Sequence, residues 1–308
     1  LGIDIHNLNL LAHAQDLGVA FDRTIAIGRQ ALFIEDWELE QHRGLRRKPP
    51  LNESPRAPGQ PRYFEPLLQQ WLGATVADSV DASPYEHARL IHDMNLPWPP
   101  QSAERGSYDV VLDFGCLEHV FNFPVAWQNC VELCKVGGHV LHALPANNLS
   151  GHGFYQFSPE LFFNLYRPER GFELRGVWFA LKADRLHWWK VANPMDVKRR
   201  VNLRNSHEVY MLVLAKKLHE TGPQPAPQQS DYAQDEWVHG PSAVGSAAAV
   251  STGDARRTLV RQLVKLGLID LVRNTRERLQ AMRSSGLSLP TPDYQRVDVH
   301  ALIRKPSR

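Results

Sequence analysis

The chain has 308 residues, 43% of them hydrophobic, with 35 basic against 33 acidic side chains and a formal net charge of +2. That is enough apolar material for one large domain plus an extension, or two modest domains, and it excludes a chain that is disordered throughout. The nearly cancelled charge argues against a dedicated nucleic-acid binder, which carries a strong basic excess, and no apolar run reaches the ~20 residues of a membrane-spanning helix.

In chain order, residues 7–18 read as a short amphipathic helix, and the first 18 residues are too polar for a signal peptide. TIAIG at 24–28 reads as a buried strand ending at Gly28. The Pro-, Arg- and Gly-rich stretch 42–62 predicts a loop, either solvated or closing over a site. YFEPLLQQWL at 63–72 predicts a helix closed by Gly73, and TVADSVD at 75–81 a strand ending in an acid. Ser83 followed by Pro84 predicts a helix start over 83–91. YDVVLDF at 108–114 predicts a strand buried on both faces, as in a parallel sheet. A helix over 124–135, ended by Gly137 and Gly138, and a strand over 139–145 follow. Residues 158–167 predict a helix capped by Ser158, and 172–181 and 208–217 two more strands. Alternating strands and helices predict an α/β fold with parallel strands at its centre.

The composition changes after Lys217. Residues 219–254 predict a flexible linker, and 255–308 a helical extension. Residues 255–283 hold eight Arg or Lys against Asp270 and Glu277, which offers contact with a protein or an anionic surface, though such a helix also packs on its own domain. The domain expected to be complete at Lys217 therefore spans 1–218. The cysteines, Cys116, Cys130 and Cys134, lack the spacing of a disulfide framework or a zinc site, which predicts a reducing, cytoplasmic protein. Fourteen histidines raise the question of a metal. His139 and His142 fall on opposite faces of a strand and no HxH or HExxH spacing occurs, so no metal site is expected.

A doubly wound sheet binds nucleotides beyond the carboxyl ends of its central strands. There the order VDAS, HDMNLPWP, YDVVL…LEHV and LCKVGGHVL resembles class I S-adenosylmethionine-dependent methyltransferases over about residues 20–218. HVFNFP…PANN…GHGFYQFSPELFF also resembles bacterial methyltransferase-domain proteins of surface-sugar synthesis. The resemblance implies a Rossmann-like, mostly parallel sheet with an antiparallel last strand. It also implies S-adenosyl-L-methionine as cofactor and methyl transfer to a small or sugar-like acceptor at a hydroxyl. It assigns Asp81 to the ribose hydroxyls, Asp93 to the adenine amino group and Met94 to the side of the ring. Gly28, Ser83, Asp113 and Gly115 complete the implied cofactor set. Glu118, Asn147, Asn148, Tyr155 and Gln156 are candidate acceptor contacts, and His119 or His152 a candidate base, because an imidazole accepts a proton near neutral pH. Cys116 reads as an inert thiol lining a pocket.

One departure stands out. The family opens with a glycine-rich turn after its first strand, and here AIGRQALFI offers only Gly28. A fold-retaining binding or scaffold protein that has lost the cofactor is therefore an alternative. A nicotinamide-dependent oxidoreductase is disfavoured by the missing GxGxxG.

Overall fold

Tyr108–Phe114 are seven consecutive buried residues, and the sheet is built outward from them. The structure is a computed structural model that describes residues 2–52, 61–203, 205–220, 225–233 and 293–303. The strands are β1 (Gly2–Ile3), β2 (Arg23–Ile27), β3 (Ala31–Leu32), β4 (Val76–Asp81), β5 (Leu90–Ile91), β6 (Tyr108–Phe114), β7 (Cys134–Asn147), β8 (Phe172–Leu181), β9 (His187–Val191), β10 (Val209–Lys217) and β11 (Tyr294–Asp298). The helices are α1 (Ile5–Asp16), α2 (Asp36–Arg46), α3 (Glu65–Leu72), α4 (Phe123–Leu133), α5 (Pro159–Leu165), α6 (Pro194–Val197), α7 (Ser230–Ala233) and α8 (Val299–Ile303).

Nine strands form one sheet in the order β11-β9-β8-β10-β7-β6-β2-β4-β5. From β5 to β7 every pairing is parallel. β10 then inserts antiparallel between β7 and β8. This is the α/β sheet with an antiparallel late strand that the sequence predicts. The chain runs from β2 outward to β4 and β5, then crosses back to β6 on the other side of β2. That reversal opens a crevice beyond the carboxyl ends of β2 and β6.

Side chains alternate between two cores along each central strand. Tyr108 and Val111 face α4 and α5, whereas Val110, Leu112 and Phe114 face α1 and α3. Both faces are covered, which is why β6 reads as a continuous apolar run rather than an alternating one. Local chemistry sets the helix ends. Asp4 caps α1 by accepting from the Asn7 N–H at 3.0 Å, and Ser158 caps α5 by accepting from the Glu160 N–H at 3.3 Å. Gly73 closes α3 at φ +80°, the left-handed region where a Cβ is costly.

The structure departs from the sequence reading at several points. Residues 83–88 form turns rather than a helix, with His87 in the left-handed region at φ +58° and Tyr85 86% exposed, so no apolar face holds a helix there. Helix α4 stops at Leu133, because Cys134 already has extended backbone, and β7 starts before Gly137. Residues 42–46 belong to α2, whose Leu39 and His42 are buried. Most of the predicted linker and the whole of 255–283 lie outside the described residues. No helix among the described residues is long and apolar enough to cross a membrane.

The expectation that the domain is complete at Lys217 does not hold for the C-terminal segment. β11 extends the sheet by pairing antiparallel with β9, and Val299 and Ile303 of α8 are buried against the α1 side of the core. The Asp293 carboxylate pairs with Arg199, and Arg46 donates to the Ile303 carbonyl. These contacts bind the end of the chain to a core that sequence pattern alone placed upstream. Removing 219–308 is therefore expected to lower the melting temperature and broaden the transition; an unchanged calorimetric melt would contradict the packing.

Two buried histidines make stability depend on pH. Burial holds His13 and His42 each down to about 4, against the effect of Asp16 on His13 and reinforced by Arg46 on His42. Both are neutral in the fold and titrate normally once unfolded, so the unfolded chain binds more protons between pH 6.5 and about 4. Stability is present above that window and is lost as pH falls through it, by up to about 1.4 kcal/mol per pH unit for each histidine. Urea titrations at stepped pH should show His13→Gln or His42→Gln flattening the slope.

Candidate functional site

The turn that leaves β6 is fixed by a buried carboxylate. Asp113 is fully buried, and its Oδ1 accepts from the Cys116 and Leu117 N–H groups at 3.2 and 3.1 Å. Its Oδ2 lies 2.7 Å from His142 Nδ1, and His142 Nε2 lies 2.5 Å from the Tyr166 hydroxyl. Both oxygens are thus committed inside the protein. The implied role of Asp113 as a cofactor contact is corrected on this ground: it faces β7 and α5 and organises the turn.

That turn carries Gly115, at φ +85°, and a short 3-10 helix, Leu117–His119. Glu118 is 0% exposed, and neither carboxylate oxygen has a hydrogen-bond partner among the described residues. Burial, aided by the nearby Asp113 charge, pushes its carboxyl up to about 8. The loop after β7 closes onto the same residue. The Phe154 and Tyr155 N–H groups donate to the Glu118 carbonyl at 2.7 and 3.3 Å. Gly153 sits at φ +80°, where a Cβ would lie 2.8 Å from that carbonyl oxygen, so only glycine permits the approach.

This clamp brings His152 beside Glu118. Its Nε2 lies 3.3 Å from Glu118 Oε1, and His119 Nε2 lies 3.8 Å from the same oxygen. The two imidazole centroids are 5.0 Å apart. Burial lowers the His119 pKa, with His152 adding to the effect. The expectation of no metal cluster rested on spacing within single elements. Here three ligand-type atoms, from Glu118, His119 and His152, gather within 4.8 Å of one another from two different loops.

Glu118 and His152 line a cavity of about 360 Å³. Its other walls include Gly115 just past β6, Ala143 within β7 opposite Phe114, residues of the N-terminal segment from Gly2 to Asn7, and Tyr210. Lys182 and Arg185 also line it, paired with Glu208 at 2.7 Å and with Glu38.

The remaining predicted residues divide into two groups. Gly28, at φ +76°, ends β2, and Asp81, half-buried, ends β4, so both stand at the carboxyl edge. Asp81 Oδ1 accepts from the Ser83 N–H at 3.2 Å, which orients the carboxylate. Asp93 is exposed and held below the usual carboxylate range by hydrogen bonds from Asn95. Met94 is buried in the core, where the Asn129 amide covers its carbonyl. Asn147, Asn148, Tyr155 and Gln156 tie loops together. The Asn147 and Asn148 amides donate to Asn205 Oδ1 at 3.0 and 2.9 Å, Tyr155 donates to the Phe121 carbonyl at 2.6 Å, and Gln156 Oε1 accepts from the Leu149 N–H at 2.8 Å. Cys116 is half-buried, and burial drives its thiol well above the ordinary value, as for an inert thiol. The sequence reading missed Tyr210, Lys182 and Arg185, which reach the cavity from the antiparallel half of the sheet.

The chain matches no protein-family model and no curated protein. Among solved structures it is similar to the Burkholderia thailandensis 1,6-didemethyltoxoflavin-N1-methyltransferase with bound 1,6-didemethyltoxoflavin and S-adenosylhomocysteine, at 13% identity over 70% of this chain and 79% of that one, TM-score 0.39. It is similar also to the [4+2]-cyclase SpnF, at 12% identity over 69% and 81% of the two chains, TM-score 0.38. A third is the trans-methyltransferase CalH in complex with SAH, at 13% identity over 67% and 54%, TM-score 0.35. Likeness at this level carries no chemistry across, and the fold stands on the sheet order itself.

The clamp on Glu118 makes a direct prediction. Gly153→Ala must leave the left-handed region or push the loop off the Glu118 carbonyl, and should cost at least roughly 1–2 kcal/mol by urea unfolding. Wild-type stability in that variant would show the loop to be free of Glu118.

Proposed function

We propose that the chain transfers a methyl group from S-adenosyl-L-methionine to a small, polyhydroxylated acceptor, at a hydroxyl. The observation that carries this reading is the carboxyl edge of the parallel strands. Its reversal at β2, the Asp81 carboxylate ending β4 and the cavity beyond β6 and β7 occur in the order that the sequence resemblance requires.

The residues fit the cofactor at one end more fully than at the other. Asp81, oriented by Ser83, is suited to two ribose hydroxyls, because a carboxylate accepts several hydrogen bonds. Asp93 stays ionised and is available to an amino donor, with Met94 filling the core beneath it. At the methionine end, Arg29 and Gln30 replace the usual glycines. Gln30 is fully buried and its amide donates to the Ile27 carbonyl, while its Oε1 has no partner among the described residues. That orphaned acceptor suits an ammonium group. When bound, the cofactor supplies an electrophilic methyl on a sulfonium centre; the protein's own task is orientation and exclusion of water.

On the acceptor side, His152 lines the cavity and is the candidate to take the acceptor's proton, with the His119 ring 5.0 Å from it as the other candidate. Asn147, Asn148, Tyr155 and Gln156 hold the loops that shape the opening. The sugar-like acceptor rests on the GHGFYQFSPELFF resemblance.

A second reading draws on one observation. Arg29 is locked by Glu65 at 2.7 Å and lies 3.9 Å over the Tyr63 ring, which stiffens the turn where a glycine-rich loop would approach the cofactor. A binding protein that keeps the fold without the cofactor has that feature.

Calorimetric titration with S-adenosylmethionine and S-adenosylhomocysteine separates the two. Saturable binding is expected, and Asp81→Ala should weaken it by about 1.5–3 kcal/mol, the range for a hydrogen bond to a charged group. Absence of binding favours the scaffold reading, and unchanged affinity in the variant removes Asp81 from the site.

A further inference from the structure

A carboxyl group buried with both oxygens unpartnered costs several kcal/mol to ionise, so it keeps its proton unless a cation takes the proton's place. Glu118 is in that state, on a helix turn fixed by Asp113 and beneath a loop fixed by Gly153. Two imidazole nitrogens point at it from separate loops. His152 Nε2 stands 3.3 Å from Oε1, close enough for a hydrogen bond but not aligned for one. We infer that Glu118, His119 and His152 form a binding site for one divalent transition-metal cation of the zinc, cobalt or ferrous class, opening onto the cavity.

The geometry suits such an ion. Ligand atoms around a tetrahedral zinc at ~2.0–2.1 Å lie roughly 3.3 Å apart. The three candidate atoms already lie within 4.8 Å of one another, with the two carboxylate-to-imidazole distances at 3.3 and 3.8 Å. Small side-chain rotations close the remainder, and both imidazoles, 42 and 43% exposed, have room to make them. Two nitrogens and one oxygen select a borderline cation over magnesium or calcium, which prefer oxygen alone. Three protein ligands leave coordination positions open, the arrangement of catalytic rather than structural sites. Because Glu118 and His152 line the cavity, those positions face it and take an oxygen donor, a water or a substrate hydroxyl.

The backbone holds the ligands in place before any ion arrives. The His119 N–H donates to the Cys116 carbonyl and the His152 N–H to the Leu149 carbonyl, each at 2.9 Å. The loop after β7 is bonded to the Glu118 carbonyl itself. The cation would displace the Glu118 proton and supply the positive charge that its carboxylate lacks, and its ligands would then add a side-chain link between two loops already tied by backbone bonds and by the Tyr155 hydroxyl on the Phe121 carbonyl.

The test uses the full-length, untagged protein stripped with a chelator, with no S-adenosylmethionine present. Co²⁺ is titrated and followed by its visible absorption bands, and Zn²⁺ by calorimetry. One equivalent is expected to bind with a Kd on the order of 10 μM or tighter. Glu118→Gln, His119→Ala and His152→Ala should each weaken it at least roughly tenfold, while the circular dichroism spectrum is retained. If the buried Glu118→Gln variant fails to fold, the two exposed histidine variants decide. No saturable one-equivalent binding, or wild-type affinity in either histidine variant, overturns the site. Its failure is distinct from failure of methyl transfer: a protein that binds Co²⁺ but not S-adenosylmethionine keeps this site and loses the other reading, and the converse also holds.

Discussion

The Asp113 carboxylate is the constraint on which the candidate site depends. A charge with no solvent exposure is tolerated only when its oxygens are fully engaged, and three donors meet this one: two backbone N–H groups and His142. The two N–H bonds set the turn after β6, so the 3-10 helix begins where it does and carries Glu118 inward. The bond to His142 ties that turn to β7, and His142 in turn reaches Tyr166, just beyond α5. One buried acid thus couples the ends of two central strands to a helix on one face. The cavity's chemistry sits one turn beyond it.

The two halves of the sheet divide the labour. The parallel half, β5 to β7, presents loops at one edge, as doubly wound sheets do. The antiparallel half contributes Lys182 and Tyr210 to the same cavity because β8 ends and β10 begins at that edge. The N-terminal segment closes the remaining side: β1 pairs with β3, directly after the turn that ends β2. Gly2 is needed there, since a Cβ would lie 2.3 Å from the Ala31 carbonyl oxygen. The cavity is therefore walled by residues that range from Gly2 to Tyr210.

Much of this was legible in the residues. The buried run 108–114 gave its strand to the residue, and 209–217 is antiparallel to β7, as the sequence resemblance led one to expect. What was illegible shares one physical cause, partners distant in sequence. Asp113 read as an edge acid because its partner His142 lies 29 positions on. The histidine and glutamate cluster escaped because its ligands come from two loops, and no spacing rule within one element finds them. Strand β11 escaped because residues 255–308 read as a helical extension beyond a linker, and its partner β9 lies about a hundred positions upstream. The helix expected after Ser83 had a cap but no apolar face to bury, and a cap alone does not outweigh backbone entropy.

The packing of α8 on α1 has a consequence for how the chain acquires its structure. Helix α1 carries Leu8, Leu10 and Leu11, all buried, and part of the cover over this face comes from Val299 and Ile303, nearly the whole sequence away. During synthesis α1 emerges early and its last neighbour late. For that interval a strip of leucines and the free edge of β9 stand open, the kind of transient surface that recruits holding factors or seeds association. The nascent protein thus carries an open apolar strip and an open strand edge from the synthesis of α1 and β9 until residues 293–303 dock.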